Sequence, residues 1–174
     1  MLTGKNIKLR ALEPSDVDLL FQWENDEKLW YLSNTLTPFS RFSLEQYVLN
    51  SGNDIFADKQ MRLMIDLPDK ESNTTIGTID LFDFDPHNQR AGIGILIQEK
   101  YRQKGFAAEA LDLLLRYCFE TLNLHQLYCN IAKFNTASIN LFQQAGFEIK
   151  GEKKEWLLID QKWVDEYFLQ LIKS

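Results

Sequence analysis

An apolar run, a basic turn closed by glycine and the start of a helix follow one another between residues 93 and 107. Together they could hold an anion. Ile93-Gly94-Ile95-Leu96-Ile97 is rich in β-branched residues and reads as a buried strand. Beyond Tyr101-Arg102-Gln103-Lys104-Gly105-Phe106-Ala107, the residues Ala108, Leu111, Leu114, Leu115 and Cys118 recur at helical spacing. A glycine at the junction lets the backbone approach a ligand closely, and the first turn of a helix presents unpaired N–H groups at the positive end of its dipole. Arg102 and Lys104 add charge, so the chemistry implied is the cradling of a phosphate or pyrophosphate.

The spacing Arg102-x-x-Gly105-x-Ala107 resembles the R/Q-x-x-G-x-G/A acetyl-CoA signature of the GCN5-related N-acetyltransferases. Asn135-Thr136-Ala137-Ser138-Ile139-Asn140-Leu141-Phe142-Gln143-Gln144-Ala145-Gly146-Phe147 is similar to the family's second CoA-contacting segment. Leu9-Arg10-Ala11-Leu12-Glu13-Pro14-Ser15-Asp16, followed by Trp23-Glu24-Asn25-Asp26, resembles the opening of the branch that holds ribosomal-protein and spermidine acetyltransferases. These segments occur in family order from about Lys8 to Phe168.

The resemblance implies an α/β fold: one domain over residues 1–174, with a mixed, mostly antiparallel twisted sheet and helices on both faces. It implies acetyl-CoA as cosubstrate, no metal, and direct transfer of acetyl to a primary amine, either a small amine or polyamine or a peptide N-terminus. Arg102, Gln103, Lys104, Gly105, Phe106 and Ala107 would hold the pyrophosphate. The pantetheine arm would lie along Ile95, Leu96 and Ile97, with Asn135 and Ser138 reaching it from the next helix. Helices and loop around Glu24, Asp26, Trp30 and Tyr31 would wall the acceptor. The chain also departs from the family pattern. A glutamate base is usual in a run like A-E-x-G, where this chain has Ala91-Gly92-Ile93-Gly94, and a tyrosine acid is usual where it has Phe142. Ser33-Asn34 replaces acidic residues expected of a spermidine enzyme. A non-catalytic acyl-CoA-binding or regulatory module is therefore an alternative, since it needs neither side chain.

A substitute base can be sought by register. If Asp85-Pro86-His87-Asn88 is a turn with proline at its second position, Phe84 opposes Gln89 and Asp83 opposes Arg90 on the face of Gly92. Asp83 is then the nearest carboxylate, and a slip of one residue would substitute Asp80. His87 and His125 are weaker candidates.

The elements that position these groups can be read along the chain. Strands are expected at Ile7–Leu9, Met61–Leu67, Thr75–Phe84, Gln89–Ile97, Gln126–Ala132, Phe147–Ile159 and Trp163–Ile172. Helices should start after Ser15 or Asp16, at Ser43, at Ala107 and at Thr136, the last stopped by Gly146. The polar tract Pro68–Asn73 should separate two of the strands, and the aromatic stretch Leu29–Phe42 should be irregular.

Bulk properties narrow the classes. With 174 residues and 45% hydrophobic content the chain can bury a sizeable core. Residues 1–90 hold all of the net charge of −6 and the remainder balances, so the acidic half favours a cationic acceptor. With pI ≈ 5.0 and no basic stripe, a nucleic-acid partner is not expected. No apolar run suits a membrane span or leader, and Cys118 and Cys129 read as core thiols, which points to cytoplasm. The apolar strand Trp163–Ile172 could support a homodimer.

Overall fold

The computed structural model describes residues 2–33, 35–52, 54–68 and 74–173; Asn34 and Asp69–Asn73 lie outside them. Eight strands, β1 (Leu2–Thr3), β2 (Lys8–Ala11), β3 (Met61–Leu67), β4 (Thr74–Asp85), β5 (Arg90–Ile97), β6 (Gln126–Ala132), β7 (Glu148–Ile159) and β8 (Lys162–Ile172), form one sheet in the order β1-β2-β3-β4-β5-β6-β8-β7. All neighbours are antiparallel except β5 and β6. The helices are α1 (Val17–Glu24), α2 (Trp30–Ser33), α3 (Arg41–Asn50), α4 (Ile55–Asp58), α5 (Phe106–Arg116) and α6 (Thr136–Gln144).

Strand alternation splits the apolar residues between two layers. Ile79 and Leu81 of β4, with Ile65 of β3 and Ile93 of β5, face Ala110, Leu111 and Leu114 of α5. On the other face Met64 packs with Leu12, Val17, Leu20, Leu44 and Val48, which come from α1, α3 and the segment before them. Helices thus cover both faces, as expected. α3 begins at Arg41, two residues before the expected Ser43, and is capped by Ser40, whose hydroxyl accepts from the Ser43 N–H at 3.0 Å. The helix after Ala107 continues past Arg116 as a π turn, Tyr117–Thr121. The short β1, α2 and α4 have no counterpart among the expected elements, α2 falling within the stretch Leu29–Phe42 expected to be irregular.

One expectation is corrected. In the β4–β5 hairpin Phe82 opposes Gly92 and Asp80 opposes Gly94, whereas Asp85 opposes Arg90. Between those pairings two β4 residues, Asp83 and Phe84, oppose the single β5 residue Ala91, and Asp83 has φ 49°, so the strand bulges there instead of pairing Asp83 with Arg90. Asp85 takes the ion pair with Arg90 (3.3 Å), and its carboxylate also caps the turn by accepting from the Asn88 N–H at 2.9 Å.

The bulge explains Gly92. A Cβ at Gly92 would lie 2.2 Å from Cε2 of Phe82, whose ring occupies the space and stacks edge-on against Tyr128 at 5.9 Å. We expect Gly92→Ala to cost about 1–3 kcal/mol in denaturant unfolding. Adding Phe82→Leu should recover most of that loss, and no recovery in the double variant would mean that the ring is not what excludes the side chain.

Candidate active site

The sheet divides where β5 meets β6. Their parallel pairing covers only Arg90–Gly92 against Gln126–Tyr128, after which β5 follows β4 and β6 follows β8. A cavity of about 540 Å³ fills the wedge, with Ile93, Gly94 and Ile95 on one side and Asn130, Ile131 and Ala132 on the other. Phe142, almost fully buried, also lines it, so the position where a tyrosine acid is usual carries no proton donor.

At the end of β5 the chain turns into α5 through Gly105, which sits at φ 83° as the residue before the helix. Among the described residues no side chain caps the helix, which leaves its leading N–H groups available to a ligand. A Cβ at Gly105 would meet nothing within 4 Å. The glycine is therefore set by its left-handed backbone and leaves room in front of the helix for a ligand. Arg102, Gln103 and Lys104 are exposed beside it, while Phe106 and Ala107 are half-buried against the core. Arg102 donates from Nε to the Ile97 carbonyl at 2.9 Å, tying the turn to the end of β5, and Lys104 donates to the Lys100 carbonyl at 3.0 Å. One turn into the helix, the Glu109 carboxylate accepts from Asn6 N (2.7 Å) and Asn6 Nδ2 (2.9 Å). Burial would raise its pKa, but these hydrogen bonds outweigh it and lower it, and they fasten α5 to the β1–β2 turn.

Asn135 is the N-cap of α6, its Oδ1 accepting from Ser138 N at 3.2 Å. The capping bond uses the oxygen and does not engage the amide NH₂, and both residues line the cavity.

The acceptor side holds a charged cluster that the sequence did not announce. Arg62 of β3 donates from Nε to Asp80 Oδ1 (2.7 Å), from Nη2 to Asp80 Oδ2 (3.2 Å) and from Nη1 to Glu24 Oε1 (2.5 Å). Tyr47 packs under the guanidinium, 5.6 Å from its centre to the ring. Burial opposes the arginine's charge, but Asp80, Tyr47 and Glu24 outweigh it and push its pKa up. Burial also raises the Tyr47 pKa. Arg62 and Asp80 line the main cavity and an adjoining one of about 100 Å³, where Glu24 and Trp30 join them. The opposite wall carries Lys153, which donates to Glu166 and to Asn130 Oδ1, both at 2.8 Å, and lies 5.1 Å from the ring of Trp156.

The other sequence candidates are spread more widely. Trp30 donates from Nε1 to the Glu24 carbonyl at 2.8 Å, and Tyr31 lines the main cavity with its ring 5.4 Å from Phe134. Asp26 lines neither cavity and caps a turn by accepting from Lys28 N at 3.1 Å. Asp83 also lies outside both, accepting from the Tyr128 hydroxyl at 3.0 Å; burial and this bond push the Tyr128 pKa up to about 12. His87 and His125 are exposed away from the wedge. Cys129 borders the cavity, but burial raises both thiols, Cys118 to about 12 and Cys129 further, so neither is a ready nucleophile.

Residues 6–148 match the model of the acetyltransferase (GNAT) domain. The chain belongs to the GNAT acetyltransferase family. It is 30% identical over 172 residues to an uncharacterized N-acetyltransferase, p20, of Bacillus licheniformis, covering 99% of this chain and 96% of that one. It is 25% identical to the spermidine N(1)-acetyltransferase of Vibrio cholerae, covering 98% and 95%. The crystal structure of spermidine N-acetyltransferase from Vibrio cholerae in complex with CoA and spermine matches the fold with a TM-score of 0.86, at 23% identity and over 97% and 96% of the two chains. This acetyltransferase accordingly transfers acetyl to an amine, and nothing in these likenesses favours a purely binding module.

Gly105→Asp should keep the fold at a strain of about 1–2 kcal/mol, because the left-handed backbone is costly to any residue with a Cβ. It should weaken acetyl-CoA binding at least about 100-fold in calorimetric titration, two charges at contact distance repelling strongly. Gly105→Asn carries the same strain without the charge and should lose clearly less. Equal affinities for parent and both variants would remove the cradle.

Proposed function

We propose that this acetyltransferase moves acetyl from acetyl-CoA directly to the primary amine of a small molecule or a peptide N-terminus. One observation supports this above the others: a cavity opens in the split sheet between an uncapped glycine-led helix and an arginine-linked pair of carboxylates. The pyrophosphate rests on Arg102–Ala107. The pantetheine arm lies along Ile95, Leu96 and Ile97 as an added strand, and Asn135 and Ser138 bond its amide groups. An N–H of the free β5 edge polarises the thioester oxygen.

The acceptor enters between Tyr31, Tyr47 and Trp156, its ammonium drawn to the Glu24–Asp80 pair. Arg62 engages both oxygens of Asp80, whereas Glu24 Oε2 takes no hydrogen bond among the described residues. Glu24 therefore receives the proton, directly or through one water. The neutral nitrogen attacks the carbonyl carbon, the C–S bond breaks, the nitrogen gives up its second proton to solvent, and the CoA thiolate leaves and takes a proton from solvent. A thiolate is a good enough leaving group for Phe142 to suffice in place of an acid. Asp83 loses its place in this scheme with the register that suggested it. Asp26 has no role in it, since its carboxylate caps a turn away from both cavities. One catalytic domain over residues 1–174 in the cytoplasm, where acetyl-CoA and the free thiols Cys118 and Cys129 would both be stable, fits this reading. A homodimer through the hairpin of Trp163 also fits it.

Release of free CoA thiol over a panel of amines and short peptides tests the function, and the absence of release with every acceptor despite acetyl-CoA binding would refute it. With a productive acceptor, Glu24→Gln should lower turnover about 10²–10⁴-fold at neutral pH with acetyl-CoA affinity little changed. The rate should climb as pH rises, because an amine of pKa about 8–10 then supplies its own neutral form. Asp83→Asn should stay within about threefold of parent, surface changes being small. A parental pH–rate profile for Glu24→Gln would exclude it as the base.

A further inference from the structure

We infer that Arg62 determines acceptor selectivity by setting the charge of the cleft: it leaves one uncompensated negative charge, which suits a monocationic amine and disfavours a polycation. The inference rests on the amine-acetylating reading above and extends it to substrate class.

Among the described residues that line the two cavities, the charged groups are Glu24, Asp80 and Glu166 against Arg62 and Lys153. Three carboxylates face two cations. Lys153 and Glu166 neutralise each other at 2.8 Å on one wall. On the other, Arg62 is shared between Asp80 at 2.7 Å and Glu24 at 2.5 Å. The pairing is enclosed, with the arginine and glutamate side chains about one-fifth exposed and the aspartate one-quarter. Solvent therefore screens it poorly, and each unpaired charge counts.

The remaining surroundings support one ammonium and little more. Trp23, Trp30, Leu20 and Leu29 line the smaller cavity around Glu24, and Tyr31, Tyr47 and Trp156 line the larger. Such a wall accepts an apolar body and one cation. A second or third ammonium on the same acceptor would need a further unpaired carboxylate, and would otherwise meet Arg62 or Lys153 as like charges.

Arg62 also has a mechanical place that a test must separate. Arg10 joins Asp16, just before α1, to Asp66 of β3, at 2.6 and 2.7 Å. Arg62 makes the corresponding link from the last residue of α1, Glu24, to Asp80 of β4. The two arginines clamp the ends of α1 to the sheet. Loss of a clamp lowers stability and activity toward all acceptors alike; loss of a charge filter changes the ratio between acceptors.

The experiment compares parent, Arg62→Gln, Arg62→Lys and the double variant Arg62→Gln/Asp80→Asn. Each is titrated calorimetrically, in the presence of CoA, with a monoamine and a diamine of the same carbon length. The same amines are assayed for acetylation. Arg62→Gln should raise the affinity for the diamine relative to the monoamine about tenfold or more, because it exposes a second carboxylate to a charge-assisted contact. Arg62→Lys keeps the charge and should keep the parental ratio. The double variant restores the parental net charge with no arginine, so its ratio should return toward parent. It also keeps the inference falsifiable if unpaired acids leave Arg62→Gln unfolded, since a double variant that prefers the diamine as an uncharged filter would predict overturns it. An unchanged ratio in folded Arg62→Gln overturns the inference, as does a failure of every amine to bind the parent. A shifted binding ratio without acetylation by any variant would leave the filter standing and refute the proposed acetyl transfer to these amines.

Discussion

The decisive constraint is the divided sheet. A strand inside a sheet satisfies its N–H and C=O groups on both sides, and β5 does so only for Arg90–Gly92. From Ile93 to Ile97 it keeps β4 as a partner and has lost β6, which is committed over its whole length to β8. The polar edge so created needs water or an extended ligand. The glycine turn and the start of α5 follow the same strand within ten residues, so one ligand can meet the edge with its chain and the helix with its anionic end.

Enclosure of the wedge depends on long-range pairing of charge. The acceptor wall is a short helix, α1, with an apolar face of Val17 and Leu20, continued through aromatic turns into α3. Packing alone leaves the ends of such a short helix to fray. Arg10 and Arg62 hold those ends to the sheet, and the second also places two carboxylates against the cavity. Structural and chemical functions of Arg62 are thus superimposed, and the cleft cannot change its charge without loosening its wall.

Much of this architecture is legible in the sequence because it is local. Periodicity and turn chemistry place Met61–Leu67, Gln126–Ala132 and the helix from Thr136 close to where they occur, and the glycine turn after Ile97 is evident from residue types alone. Cross-strand partners are not local. Counting back from the Asp85 turn points to Asp83, but the bulge with Asp83 at φ 49° shifts every pairing beyond it. Arg62 was invisible for a related reason: a charged residue in an apolar strand signals a buried partner, but Asp80 and Glu24 lie 18 and 38 positions away. Family likeness puts Glu24, Asp26, Trp30 and Tyr31 near the acceptor; Glu24, Trp30 and Tyr31 border the cavities, whereas Asp26 turns away to cap its own turn.

Amide hydrogen exchange with and without acetyl-CoA tests the central claim most directly, namely that the open edge of β5 and the head of α5 bind one ligand. The account predicts slower exchange at Ile93–Ile97 and Gln103–Ala108 on acetyl-CoA addition, with the β7–β8 hairpin unchanged. Protection confined to other segments, with those two stretches exchanging as in the free protein, would contradict it.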